Sequence, residues 1–197
     1  MKNYTIQNKF LFLCVKYLKG VYTVNNTYPM DGDNGDLSDI WTFYFHDPYD
    51  KDWTYSSYIR ICDISNISVF RSLSLRVSNN IERGMFFLFR ENVFPCWDDP
   101  GNVDGGSISF KVLKSGVLDF WNIVAHKVLQ DEMLSNGLSF DFDIVTGISV
   151  SPKKGYCIIK IWFKNLEIHD VDVLNLDSTL KIGGMFKANK EKILDSH

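Results

Sequence analysis

The chain has 197 residues, of which 45% are hydrophobic, and its 21 basic and 24 acidic residues give a formal net charge of −3. This is enough apolar material for one well-filled core, so we expect one domain. The charge excludes a global positive field that would draw the chain onto duplex nucleic acid. Any nucleotide site must therefore be built locally, and an aromatic content of 15% provides rings for a ligand as well as for the core.

The N-terminal part of the chain differs in composition from the rest. Residues 25–39 are polar, acidic and rich in turn-forming residues, which predicts a linker. The apolar run at residues 10–15 is too short to span a membrane and predicts a buried strand or short helix. We therefore divide the chain into an N-terminal extension and linker (1–39), a main domain (40–187) and a C-terminal tail (188–197), with no membrane segment.

The four cysteines are widely separated and include no C-x-x-C pair. This spacing argues against a zinc site and provides no disulfide framework. It favours a reducing compartment, and we expect a cytoplasmic protein.

Alternating apolar residues in the main domain predict strands. They are Trp41, Phe43 and Phe45; Phe87 and Phe89; Ile108, Phe110 and Val112; and Ile159, Ile161 and Phe163. On the last strand, Ile158, Lys160 and Trp162 must point to the opposite side. That face of the sheet therefore carries a cation beside an indole.

Two segments break this alternation and have helical spacing. Their apolar positions are Ile67, Phe70, Leu73 and Val77 in the first, and Val117, Trp121, Val124 and Val128 in the second. Ser115 is the expected N-cap of the second helix, and we assign Trp41 and Trp121 to the core. The order of elements predicts an α+β fold, with helices on one face of an antiparallel sheet and solvent or a ligand on the other.

Two tryptophans lie in polar loops that follow strands. Trp97 precedes Asp98 and Asp99, and Trp53 follows Asp52. Carboxylates are poor neighbours for a core ring, so we interpret this pair as a clamp for a ligand. We expect Asp104 to cap a turn of the second loop. The four histidines show no nucleophile or metal pattern, and we interpret them as ordinary surface or core residues.

The pattern of these loops resembles a known family. The spacing of Trp41 and Trp53, and the run Trp97-Asp98-Asp99 with Asn102 and Gly105-Gly106, are similar to eukaryotic translation initiation factor 4E. The resemblance spans residues 38–187. It implies a curved antiparallel sheet with helices on the convex face and a slot for the 7-methylguanosine cap of mRNA on the concave face. It also implies a cytoplasmic monomer that recruits capped mRNA for translation, with no catalytic residue, metal or cofactor.

The resemblance implies specific roles in that slot. Trp53 and Trp97 would stack on the methylated base, and Trp162 would contact the N7-methyl group. The guanine edge would be bound by Asp98, where the family has glutamate, or by Asp99. The phosphates would be bound by Lys153, Lys154 and Lys160.

In the family, a helical peptide from a scaffold factor 4G-like protein or a repressor docks on the helical face. The corresponding positions are Phe70, where the family has tryptophan, and Asn122, where it has leucine. An amide there removes an apolar contact, so we expect weakened or altered scaffold binding.

Two other functions stay open. A translational repressor or protein-binding relative with altered cap affinity is consistent with the changed acid at Asp98. A metal-dependent cap or nucleotide hydrolase would use Asp98, Asp99 and Asp104 as ligands, although the chain has no recognisable base or phosphate loop.

Overall fold

The computed structural model describes residues 35–135, 140–141 and 143–190. Within them, seven strands are present: β1 (Asp36–His46), β2 (Ile59–Asn66), β3 (Met85–Arg90), β4 (Gly106–Leu113), β5 (Val145–Pro152), β6 (Tyr156–Phe163) and β7 (Met185–Ala188). The helices are α1 (Ile67–Val77), α2 (Val117–Leu129) and the short α3 (Ser178–Lys181).

All seven strands form one curved antiparallel sheet in the order β2-β1-β3-β5-β6-β4-β7. The neighbours are joined by direct registers such as Phe43 with Leu88, Leu88 with Ile148, and Ile161 with Ile108. This confirms the predicted α+β class.

The main core lies between the sheet and the two long helices. The alternating residues Trp41, Phe43, Leu88 and Ile161 point to this side and are buried, as the period of two requires. Trp121 packs its ring edge against Phe43 at 6.4 Å between centroids. The assignment of Trp41 and Trp121 to the core is therefore confirmed.

Both predicted helices are present, but their first turns differ in how they are capped. The Asn66 side chain accepts a hydrogen bond from the Val69 amide and begins α1, because such a side chain satisfies an orphan donor of the first turn. The prediction for Ser115 is wrong. Ser115 lies inside a 3-10 turn (Lys114–Gly116), and Gly116 is the N-cap of α2, without a side-chain hydrogen bond.

The first strand begins slightly earlier than the composition suggests. Residues 36–39, which the sequence assigns to the linker, form the beginning of β1. The apolar run at residues 10–15 lies outside the described residues, as does the end of the tail from residue 191.

A buried arginine joins the beginning of β1 to the end of α2. Arg90 ends β3, and its guanidinium contacts Asp39 at 2.7 Å and Asp131 at 2.8 Å. It also donates to the Val145 carbonyl and lies 4.6 Å from the centre of the Trp41 ring. The charge is buried, but carboxylates, a carbonyl and a ring surround it, which offsets the cost of desolvation.

Candidate functional site

The face of the sheet opposite the helices carries a second, smaller aromatic cluster. Its buried members are Tyr44, Phe87, Phe89 and Trp162. Partly buried residues pack against them from the surrounding loops: Tyr58, Met85, Val93, Phe94 and Trp97. We call this group the concave cluster. Such an aromatic floor on an open sheet face is typical of a ligand site.

Trp53 lies above one end of this floor, in the loop between β1 and β2. Its ring stacks on the His46 ring at 4.2 Å between centroids and 5° between planes, and 52% of the residue is exposed. His46 is fully buried, and its Nε2 donates to the Asp52 carbonyl at 2.8 Å. The imidazole therefore supports the indole from one side.

Trp97 lies in the loop between β3 and β4, half-buried against the concave cluster. The buried Asn102 organises this loop, because its Nδ2 donates to the carbonyls of Phe94 at 3.0 Å and Cys96 at 2.8 Å. Its Oδ1 accepts from the Thr146 hydroxyl on β5 at 2.8 Å. A single amide thus fixes the backbone next to Trp97 to the sheet.

Aromatic contacts connect the loop of Trp53 with the loop of Trp97. Phe94 contacts Tyr55 at 4.2 Å, Tyr58 at 4.9 Å and Tyr44 at 5.6 Å between ring centroids. Tyr58 also meets the edge of Trp53 at 6.3 Å. The two tryptophans that the sequence singles out therefore border the same aromatic surface.

The two carboxylates after Trp97 have different environments. Asp99 is only 8% exposed, and its Oδ1 accepts from the Gly101 amide at 2.8 Å. Asp98 is exposed. Burial of the Cys96 thiol and the neighbouring Asp98 carboxylate raise the pKa of Cys96 to about 12. The Asp99 carboxylate therefore stabilises its own loop, whereas the Asp98 carboxylate faces solvent.

The prediction that Asp104 caps a turn of this loop is wrong, because Asp99 does so. Asp104 instead forms an exposed ion pair with Lys190. Within residues 35–135, 140–141 and 143–190, no group of three His, Cys, Asp or Glu side chains could hold a metal ion. The glycines after Asp104 have a packing role, because a Cβ on Gly105 would lie 1.8 Å from the Phe163 carbonyl oxygen.

Trp162 lies at the centre of the concave cluster, on β6. It is 5% exposed, its Nε1 donates to the Ser149 hydroxyl at 3.0 Å, and it meets Phe89 edge-on at 5.6 Å. Lys160 Nζ lies 5.4 Å from the centre of the indole. The predicted pairing of a cation with an indole on this face is confirmed. Lys153 and Lys154 are exposed in the hairpin between β5 and β6.

On the helical face, the two residues expected to contact a partner peptide both make contacts within the fold. Phe70 is 1% exposed and packs against His126 at 5.3 Å, while the Asn122 side chain accepts from the Ser74 hydroxyl across the two helices. Beside them is a groove of about 450 Å³, lined by residues that include Asp36, Ile67, Arg71, His126 and Gln130. Burial and the neighbouring Arg71 lower the pKa of His126.

Sequence reasoning missed three contributors to the concave site. His46 was interpreted as an ordinary residue, and neither Phe94 nor Tyr58 was singled out. The signal for His46 is its register with Tyr44 on β1, because residues two apart share a face. Its stacking on Trp53 and the contacts of Phe94 depend on loop geometry that spacing alone does not specify.

The fold and the site together define a class: an α+β protein whose antiparallel sheet is covered by helices on one face and carries an aromatic site on the other. The family model of Eukaryotic initiation factor 4E matches residues 36–195. The chain belongs to this family. None of the described helices is long and apolar enough to cross a membrane.

Curated relatives are similar at low identity. The Acanthamoeba polyphaga mimivirus eukaryotic translation initiation factor 4E homolog is 27% identical over 93 residues, which cover 47% of this chain and 34% of that protein. Barley eukaryotic translation initiation factor 4E-1 is 28% identical over 137 residues, which cover 66% of this chain and 60% of that protein. The chain therefore spans between one third and two thirds of the length of these two relatives. The Saccharomyces cerevisiae factor 4E is 25% identical over 166 residues, covering 82% and 73%.

Solved structures show the same fold. A complex of C. elegans eIF4E-3 with the 4E-binding protein Mextli and a cap analog superposes with a TM-score of 0.65 at 17% identity, covering 82% of this chain and 96% of that one. Ascaris suum eIF4E-3 with the m7G cap superposes with a TM-score of 0.56 at 18% identity, covering 83% and 84%.

Proposed function

We propose that the chain binds the 7-methylguanosine 5′ cap of mRNA and recruits capped mRNA for translation initiation in the cytoplasm. The observation that carries this proposal is the exposed indole of Trp53, which His46 supports from behind at 4.2 Å. Trp97 and Asp98 lie on the loop that Phe94 and Tyr58 connect to it. Membership of the family and the cap complexes of two solved structural relatives support the same function.

In this proposal the base stacks between Trp53 and Trp97. Each base–aromatic contact contributes about 1–3 kcal/mol. Methylation at N7 gives the guanine a delocalised positive charge, and attraction to the indole faces adds roughly 0.5–2 kcal/mol. Unmethylated GTP lacks that charge, so the site discriminates between the two nucleotides.

The guanine edge is assigned to Asp98 rather than Asp99. Asp98 is exposed, whereas the Asp99 carboxylate already accepts from the Gly101 amide. A carboxylate can accept two charge-assisted hydrogen bonds from the guanine N1–H and exocyclic amine. Trp162 then lies beside the N7-methyl group, and Lys153, Lys154 and Lys160 bind the phosphates.

In this proposal the chain acts by binding the cap alone. It catalyses no reaction and uses no metal or cofactor. In the alternative hydrolase, Asp98, Asp99 and Asp104 would hold a divalent cation, yet Asp104 pairs with Lys190 and Asp99 caps its own loop. Incubation with capped RNA and Mg²⁺ tests this point, since any released nucleotide would favour the hydrolase.

A protein partner on the helical face is part of the proposal. Phe70 is buried and Asn122 is bonded to Ser74, so neither offers the apolar contact of an ordinary scaffold site. We propose that a scaffold or repressor peptide uses the neighbouring groove between Ile67 and His126 instead. Full-affinity binding of an ordinary scaffold peptide would contradict this.

Tryptophan fluorescence with 7-methyl-GTP and GTP tests cap binding. We expect stronger quenching and tighter binding with the methylated nucleotide, and Trp53→Ala or Trp97→Ala should weaken it roughly 5- to 150-fold. Leu75→Ala is the control, since Leu75 is an exposed apolar residue on the helical side. Equal binding of both nucleotides, or an unaffected Trp53→Ala variant, would refute the proposal.

A further inference from the structure

A second group of residues on the concave face extends away from the cap site along β4 and β6. On β4, Ile108 and Phe110 are buried in the main core, so Ser109, Lys111 and Leu113 face the other way. On β6, Lys160, Ile158 and Tyr156 share the side of Trp162 for the same reason. We call Lys111, Leu113 and Tyr156 the distal patch.

The register brings these side chains together. Leu113 pairs with Tyr156, Lys111 with Ile158, and Ser109 with Lys160. Lys111 Nζ lies 4.3 Å from the centre of the Tyr156 ring. Tyr156 is separated from Trp162 by six positions of β6, or roughly 20 Å at about 3.3 Å per residue.

The composition of the distal patch is unusual for an open sheet face. Lys111 is exposed, and within the described ranges no carboxylate forms an ion pair with it. Leu113 is 68% exposed. An exposed cation and an exposed aliphatic side chain thus lie beside a half-buried aromatic ring, in a chain whose net charge is −3.

These are the groups that bind single-stranded nucleic acid. An ammonium contacts a backbone phosphate, and a base stacks on an aromatic ring with little dependence on its sequence. The patch is continuous with the phosphate-binding lysines of the proposed cap site, because Lys160 lies on the same strand and Lys153 bonds through its amide to the Tyr156 carbonyl. Lys111 lies on β4, across β6 from the hairpin that carries Lys153, so RNA that leaves the triphosphate toward β4 reaches Lys111 and Tyr156.

We propose that the distal patch binds the first nucleotides downstream of the cap, as single-stranded RNA. Lys111 contacts a phosphate and Tyr156, with Leu113 beside it, accepts a base. This inference rests on the proposed cap binding. The distal patch adds affinity that depends on RNA length and leaves the affinity for the isolated cap nucleotide unchanged.

The experiment compares 7-methyl-GTP with a capped, unstructured oligonucleotide of about six nucleotides, within the range that single-strand sites cover. We expect the capped oligonucleotide to bind about threefold to tenfold tighter. Lys111→Ala and Tyr156→Ala should remove most of this gain while 7-methyl-GTP affinity stays within about twofold of the original. Lys111→Ala should also reduce the salt dependence of oligonucleotide binding by a slope of about 0.7.

Lys127→Ala is the matched control, because Lys127 lies on α2 on the other side of the sheet, and it should keep the full gain. Equal affinity of the original chain for 7-methyl-GTP and the oligonucleotide would overturn the distal patch while cap binding stands. The distal patch would also be overturned if the gain in affinity survived both substitutions, or if an acidic peptide bound in a way that depends on Lys111. Absence of 7-methyl-GTP binding would instead overturn both proposals.

Discussion

Asn102 offers the sharpest test of how the fold prepares the site. Its side chain is fully buried and makes three hydrogen bonds: two to the carbonyls of Phe94 and Cys96, and one from the Thr146 hydroxyl. Asn102→Ala removes all three at once. Because Cys96 directly precedes Trp97, the substitution acts on both stability and the position of the indole.

The magnitude follows from these contacts. Each bond contributes about 0.5–1.5 kcal/mol net, and an acceptor left without a partner costs more when water cannot reach it. Phe94 and Cys96 are only half-buried, so water can replace part of the loss. We expect Asn102→Ala to lower the free energy of unfolding by about 2–4 kcal/mol. Thr146→Val removes the partner of the buried Asn102 Oδ1 and should lower it by about 1–3 kcal/mol.

Urea unfolding measures the stability, and fluorescence titration with 7-methyl-GTP below the unfolding range measures the affinity. We expect weaker binding by Asn102→Ala even where the protein is fully folded, because the loop no longer holds Trp97 in place. Asn92→Ala, an exposed residue of the same loop, is the control. If Asn102→Ala binds the nucleotide as tightly as the original chain, Asn102 does not position the indole and the reasoning is refuted.

Three further predictions concern Arg90 beside the main core, and His46 and Cys96 at the concave site. Arg90→Met should lower the free energy of unfolding by about 2–4 kcal/mol, because it removes the ion-pair partner of two partly exposed carboxylates. A loss below about 1 kcal/mol in urea unfolding would contradict this. His46→Ala should weaken 7-methyl-GTP binding several-fold by removing the ring behind Trp53, whereas His46→Phe should retain it in the same titration. The raised pKa of Cys96, about 12 against 9.0, predicts slow alkylation by iodoacetamide at pH 8 in the folded chain and fast alkylation in urea, measured by mass spectrometry. Because the folded state holds the thiol proton more tightly, the contribution of Cys96 to stability is present below pH 9.0 and falls as pH rises toward 12. Rapid alkylation of the native thiol would contradict the raised pKa.

The elements of the fold were accessible from the sequence because their patterns are local. The period-two stripe of Trp41, Phe43 and Phe45 and the helical spacing in residues 67–77 each follow from one buried face. The order of strands was not accessible. β3 lies between β1 and β5, and β4 lies between β6 and β7, and these pairings depend on contacts between distant parts of the chain.

The candidate site shows the same division. The loop tryptophans and the pair of Lys160 and Trp162 are visible as local composition, because polar neighbours or alternation mark them. The supporting role of His46 is not visible in this way, because it depends on the contact between its ring and Trp53 in the following loop. Asn102 belongs to the loop pattern, but its role appears only where the loop between β3 and β4 meets Thr146 on β5. Capping was also missed at Ser115, where the backbone begins α2 with Gly116 after a 3-10 turn.

Core and site share the same strands, which couples the stability of one to the geometry of the other. On β3, Leu88 points into the main core while Phe87 and Phe89 form the floor of the concave cluster. Phe89 in turn fits only because position 147 is glycine, where a Cβ would lie 2.4 Å from its ring. A substitution such as Gly147→Ala therefore displaces the floor under Trp162 without touching any ligand-facing side chain, because interiors packed this tightly transmit a shift instead of absorbing it.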